Sequence, residues 1–222
     1  MKLPALILGF LLTTISCFGQ NDHLEPVKYL DRISGVLKEY YGKVFPLLHT
    51  GFSEKPYARY TSRPSFSAEY AFSVEEIGGK FYVLSNRLSE NYWYVVFQNK
   101  QKSVQIKSAK TEINQDLYRD MGVLFQLLAE QAKEKEREIR KGPNGEILVG
   151  LGTDGTTYTF SSTDKDGAIN SGETWSPHPS SQPLLSRLVK VCDDLSLLGT
   201  NDAISQSEIL KSVAALITDL RK

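Results

Sequence analysis

SFSAEYAFSVEE, residues 65–76, alternates side chains in a way that decides the architecture. Phe66, Ala68, Tyr70, Phe72 and Val74 fall on one side, and Ser67, Glu69, Ser73 and Glu75 on the other. A period of two predicts a strand with one apolar face. Gly78-Gly79 follows as a turn, because glycine tolerates the positive φ that tight hairpins need. Residues 81–85 and 92–97 read as further strands, the second apolar on both sides as expected for a covered strand. Residues 103–107 read as an edge, with Val104 and Ile106 inward and Lys102 and Lys107 placed to discourage further pairing. Aromatic residues crowd into residues 57–97, which favours an antiparallel meander there.

Outward from this sheet the periodicity becomes helical. Upstream, Leu30, Ile33, Leu37 and Tyr40 recur at helical spacing after Pro26, predicting a helix that ends near Gly42. Residues 45–63, with Pro46, Gly51 and Pro56, read as an irregular connection. Downstream, Ile113, Leu117, Met121, Phe125, Leu128 and Ala132 mark a long helix capped by Asn114, and Gly142-Pro143 supplies its stop. Residues 147–151 and 156–160 flank Thr153-Asp154-Gly155, a hairpin signal. Two terminal helices follow, on Leu184, Leu188, Val191 and Leu195 and on Ile209, Val213, Ile217 and Leu220, the second opened by a capping box over residues 205–208. The order predicts an α+β fold over residues 20–222 as a single domain. It consists of an antiparallel sheet of about four to six strands, packed against a long central helix with N- and C-terminal helices.

Equal numbers of basic and acidic residues, 26 of each, give no overall field to attract nucleic acid. Residues 1–20, MKLPALILGFLLTTISCFGQ, pair a cationic start at Lys2 with an apolar run from Leu3 to Leu12. That pattern predicts an export signal over residues 1–19, and the run falls short of the roughly 20 residues of a transmembrane helix. The expected location is periplasmic or extracellular. Cleavage after Gly19 would remove Cys17. Residues 14–17 resemble a lipoprotein box instead, which makes a lipid anchor at Cys17 the alternative. With Cys17 lost, Cys192 has no partner for a disulfide.

Among chemical motifs, residues 162–173 come nearest to a template. With Gly167 at the sixth position, Asp164, Asp166, Asn170 and Glu173 take the third, fifth, ninth and twelfth. Ser162 stands first, and the Ala168 carbonyl takes the seventh. The segment resembles an EF-hand loop, whose alternating oxygens and distal glutamate would hold calcium. Its neutral first ligand and non-helical flanks favour a polar turn. Gly150 to Gly155 matches GxGxxG, but a β-rich run follows where a phosphate-binding helix should begin.

His23, His49 and His178 lack metal-site spacing, and no nucleophile elbow is present. Cys192 reads as a core residue. Neighbouring carboxylates in Glu75-Glu76 and Asp193-Asp194 diverge, so neither forms an acid–base dyad. Lys100, Lys102, Lys107 and Lys110 beside aromatic strands read as edge guards rather than a nucleic-acid stripe. Tyr92, Trp93 and Tyr94 are three consecutive rings that cannot all face one way, and these are the candidate contacts for a protein, peptide or glycan. The leading expectation is an exported, non-catalytic binding module without a cofactor. Calcium stabilisation through residues 162–173 is one alternative, and a hydrolase site assembled from distant residues is another.

Overall fold

The computed structural model describes residues 22–27, 35–98, 103–134, 140–141, 147–148 and 154–222. A seven-stranded sheet, antiparallel throughout, organises them. In chain order its strands are β1 (Glu25–Pro26), β2 (Ala58–Pro64), β3 (Tyr70–Ile77), β4 (Lys80–Leu88), β5 (Ile106–Ile113), β8 (Thr156–Thr163) and β9 (Ile169–Trp175). In space they lie β1-β9-β8-β2-β3-β4-β5. A separate two-residue pair joins β6 (Arg140–Lys141) to β7 (Ile147–Leu148). The helices are α1 (Gly35–Leu48), α2 (Gln115–Glu130), α3 (Pro183–Ser196) and α4 (Gln206–Leu220).

Strand alternation separates the two faces of the sheet. Register places Tyr60 beside Phe72 on one side and beside Phe160 on the other, so three rings line up across β8, β2 and β3. Their centroids lie 5.4 Å and 5.2 Å apart. Phe125 of α2 settles onto this row, 5.7 Å from Phe160 and 6.4 Å from Phe72. Each such side chain contributes about 1.5–3 kcal/mol by leaving water. Leu117, Met121 and Leu124 of α2, Leu188 and Leu195 of α3 and Val213 of α4 complete the buried layer.

Helix ends are fixed by particular side chains. Asn114 accepts the Leu117 N–H at 2.8 Å and Ser205 accepts the Glu208 N–H at 3.3 Å, as their N-cap positions require. Helix α3 opens at Pro183 without a cap of its own. Asp22 supplies it from the other end of the chain, its carboxylate accepting the Leu184 and Leu185 N–H groups at 2.7 and 3.0 Å. On the same helix Asp193 accepts hydroxyl protons from Tyr60 at 2.7 Å and Tyr70 at 2.5 Å, which pins α3 to the sheet. Asp194 turns away to Lys190 at 2.8 Å, so the two neighbouring carboxylates do diverge.

The Gly78-Gly79 turn (φ +62° and +77°), an antiparallel sheet covered by helices and both terminal helices match the reading of the sequence. The long helix, however, spans only Gln115–Glu130, well short of the expected stop, and the expected edge at 103–107 is β5 at 106–113, which takes in Ile113. Seven strands exceed the expected four to six, and several assignments change. Residues 58–64 form β2, a central strand, where an irregular connection was expected. Both faces of β2 are covered, so its alternation of Tyr60 with Arg59 and Arg63 hides a buried strand behind charged residues. Strand β3 begins at Tyr70, five residues later than the alternation suggests, and Phe66 is 80% exposed.

Residues 92–97 are not a strand, since Trp93–Gln98 forms a π-helical turn. Among the described residues the helix carrying Leu37 and Tyr40 covers Gly35–Leu48, past the expected end at Gly42, while Leu30 and Ile33 lie outside the described residues and Glu25–Pro26 pairs with β9. Strand β8 pairs with β2 and β9 rather than with residues 147–151, and Ile147–Leu148 pairs with Arg140–Lys141. The export segment with Cys17, the lysines at 100 and 102, the charged stretch at 135–139, Gly142-Pro143 and the glycines at 150 and 152 lie outside the described residues.

Candidate functional site

The opposite face of the sheet is built differently. Helix α1 lies there and buries Tyr40, Val44 and Leu48, one residue per turn, against Ala71 and Leu88. Rings on the helix and just past its end stack in a ladder. Tyr41 to Phe45 is 5.5 Å, Phe45 to His49 5.6 Å and His49 to Phe52 5.9 Å, all with interplanar angles of 29° or less.

Arginines of β2 lie beneath the ladder. The Arg63 guanidinium carbon is 4.8 Å from the Tyr41 centroid and 5.4 Å from Phe45, and that of Arg59 is 5.5 Å from Phe52, favourable cation–π distances. Arg63 reaches Glu173 of β9 at 3.6 Å, close enough for attraction but too long for a hydrogen bond. Burial pushes the Glu173 carboxyl up from the ordinary glutamate range, and the Arg63 charge only partly offsets this. His49, its Nε2 3.1 Å from the Thr61 hydroxyl, is pushed down to about 4 by burial and secondarily by Arg59.

Beyond the N-terminal half of α1, the loop at 65–69 and the turn at 91–98 are fastened into one unit by two buried polar side chains. Glu69 is fully buried. Its carboxylate accepts the Tyr40 hydroxyl at 2.7 Å and the Tyr92 N–H at 2.9 Å, so it joins α1 to the start of the turn. Burial raises its pKa, and these hydrogen bonds oppose the rise. Asn91 donates to the Pro64, Ser65 and Ser67 carbonyls at 3.1, 3.4 and 2.9 Å while its Oδ1 accepts the Tyr94 N–H at 2.9 Å. A π-helical turn is uncommon and often marks a functional position. Here it divides three consecutive rings. Tyr92 is buried, Trp93 is half-buried with its ring edge-on to Tyr40 at 5.5 Å, and Tyr94 is 55% exposed.

Two clefts open on this unit. One, of about 430 Å³, lies between the loop and the turn, with Phe66 and Tyr94 on its walls. The other, also of about 430 Å³, runs over Arg63 between Tyr41, Leu37, Trp93 and Phe66. Phe66 and Asn91 line both, so the clefts adjoin across a shared wall. Phe66 and Tyr94, together with Leu37 and Val36, rank among the large apolar side chains most exposed to solvent.

The other sequence candidates are placed differently. Residues 163–168 turn the β8–β9 hairpin, with Gly167 at φ +83°. Asp164 is occupied within that turn, accepting the Asp166 and Ala168 N–H groups and the Asn170 amide, each at 2.9 Å. Ser162 pairs with Asn170 and faces α2, while Glu173 pairs with Thr159 and faces Arg63. Odd and even positions of a strand point to opposite faces, so the first and twelfth positions of the calcium template lie on opposite sides of the sheet. Among the described residues no group of three or more histidine, cysteine, aspartate or glutamate side chains is placed to hold a metal.

Cys192 is fully buried in the core, and burial raises its thiol pKa well above the ordinary value. His23, His49 and His178 sit in separate places: His23 bonds the Leu24 carbonyl, His49 Thr61 and His178 Ser180. The clefts and the fastened turn also involve Phe66, Glu69, Asn91 and Arg63, which the sequence does not single out as site candidates; in the alternating pattern Phe66 and Glu69 read as ordinary strand positions. The signal that could have flagged this segment is Pro64, which cannot donate to a sheet and marks a break before Ser65.

Comparison with family models, with curated proteins and with solved structures finds no match for this chain.

Proposed function

We propose that this chain is an exported, non-catalytic binding module whose ligand enters the paired clefts around Phe66 and Tyr94. The observation that carries the reading is the fastening of two exposed rings by buried Glu69 and Asn91. Burying a carboxylate and an amide is costly unless both are fully hydrogen-bonded. Here that investment holds a turn whose Tyr94 contributes little burial. A surface built to remain in one shape loses less entropy on binding, and large exposed apolar side chains gathered beside a cleft are the usual mark of an interaction site.

The export-signal pattern of residues 1–19 supports an extracytoplasmic location, and among the described residues no helix is long and apolar enough to cross a membrane. The clefts gather rings and hydroxyls, with no cysteine or histidine along their walls. A fragment library screened by ligand-observed NMR tests the reading. Hits should compete with one another and vanish in the Phe66→Ala/Tyr94→Ala double variant. Hits that persist in that variant, or that collect in the groove between α3 and α4, would contradict it.

A further inference from the structure

Resting on that reading, we infer that the occupant of the paired clefts is a neutral oligosaccharide. Three observations select this class. The first is what the walls expose. Phe66, 80% exposed, and Tyr94, 55% exposed, line the same cleft, and aromatic faces carry partial negative charge that attracts the slightly positive C–H groups of a sugar face. Beside the rings the side chains of Ser67, Ser89 and Glu90 make no hydrogen bond to any described residue, leaving hydroxyl and carboxylate oxygens for sugar hydroxyls.

The second is what the walls withhold. An extended peptide is recognised largely through its main chain, which needs unpaired backbone groups to bond. Here the carbonyls of Pro64, Ser65 and Ser67 already accept from Asn91. The N–H groups of Ser65, Leu88, Ser89 and Val95 are bonded to backbone carbonyls, and those of Tyr92 and Tyr94 to Glu69 and Asn91. Among the described residues the N–H groups of Phe66, Ser67, Ala68 and Glu90 stay unbonded, but they lie in bends and loop rather than along one extended edge, so a peptide would find isolated donors and ring faces, not a continuous ladder.

The third is charge. Arg63 in one cleft stands 3.6 Å from the Glu173 carboxylate, Asp154 lines that same cleft, and Glu90 lines the other. A strongly anionic ligand would meet these carboxylates and a strongly cationic one would meet Arg63, so the match is to an uncharged chain. Two adjoining clefts of about 430 Å³ suit consecutive sugar units better than one.

The test uses cellohexaose, laminarihexaose and maltohexaose as probes and an uncharged Leu/Phe-containing hexapeptide as the competing class. Trp93 lines the second cleft and the chain has two tryptophans, so a Trp175→Phe background reports on Trp93 emission alone. At least one hexasaccharide should change that emission and bind by calorimetry with a Kd below about 1 mM. Phe66→Ala or Tyr94→Ala should weaken binding about tenfold or more, with an unchanged circular dichroism spectrum and Tm. The inference is overturned if no hexasaccharide binds, if binding survives both substitutions, or if only the peptide binds. Should fragments still map to the clefts while the sugars fail, the ligand class falls and the binding-module reading stands.

Discussion

The two faces of the sheet contrast in what their side chains do. On the face covered by α2, α3 and α4, rings meet rings: Tyr60, Phe72, Phe125 and Phe160 are almost wholly buried, and Asp193, a polar group there, is engaged by two tyrosine hydroxyls. On the α1 face, arginines lie under a ladder of rings, Glu69 and Asn91 are buried to shape a turn, and Phe66 and Tyr94 face solvent. One face secures the fold, and the other uses polar burial to hold a surface in shape. Large burial thus serves stability in the first case and presentation in the second.

The sharpest way to break this contrast is to truncate one ring on each face. Phe125→Ala removes a ring from the packed row and should cost about 3–5 kcal/mol in urea denaturation, whereas Phe66→Ala should stay within about 0.5 kcal/mol. Equal costs would mean that Phe66 is a core residue.

Next in size is the pH response of the α1 ladder. Because the folded His49 pKa is depressed to about 4 from an unfolded value near 6.5, its stabilising contribution is complete above about 6.5 and is lost as pH falls towards 4. The loss across that window is at most about 3 kcal/mol. His49→Gln keeps a hydrogen-bonding partner for Thr61 and should flatten this part of the stability profile. An unchanged slope would place the titration elsewhere.

A smaller effect concerns the fastened turn. Glu69→Gln would set an amide N–H against one of the two donors that Glu69 now accepts, from Tyr40 or Tyr92. Leaving one buried donor unsatisfied costs about 1–3 kcal/mol, and exchange of the Tyr92 amide proton should accelerate while that of Leu124 in α2 does not. Smallest of all is the response to calcium. With Asp164 engaged in its own turn and Ser162 and Glu173 on opposite faces, the Tm should be the same in millimolar calcium and in chelator. A raised midpoint with calcium would show bound metal through linkage and reinstate the loop as a site.

The covered face was the more legible in the sequence. The spacing of Leu117, Met121, Phe125 and Leu128, and of Leu188, Val191 and Leu195, is the direct imprint of a helix with one buried stripe, and Tyr70, Phe72 and Val74 alternate on the side of β3 that packs into the same core. The α1 face was obscured for a physical reason. Arg63 is buried and Arg59 half-buried by stacking on rings, which residue-type patterns read as exposed charge, so β2 reads as a connection.

Residues 92–97 are apolar without interruption, and such a run fits a covered strand and a compact turn equally well. In the structure the start of the turn is held by Asn91 and by Glu69 of the preceding loop, long-range contacts that pattern reading does not contain. Tyr94 is exposed and Tyr92 is buried, and Phe66, which the alternation reads as an inward strand residue, lies in the loop before β3.

Hydroxyl-radical footprinting of the aromatic side chains, read by mass spectrometry, tests most directly whether the π-helical turn presents one ring while hiding its neighbour. Phe66 and Tyr94 should be oxidised fastest, Trp93 more slowly than its intrinsic reactivity would give, and Tyr92, Phe72 and Phe125 protected until the protein unfolds. Protection of Phe66 and Tyr94 to the level of Tyr92 would contradict the account, because the surface proposed for binding would then be part of the core.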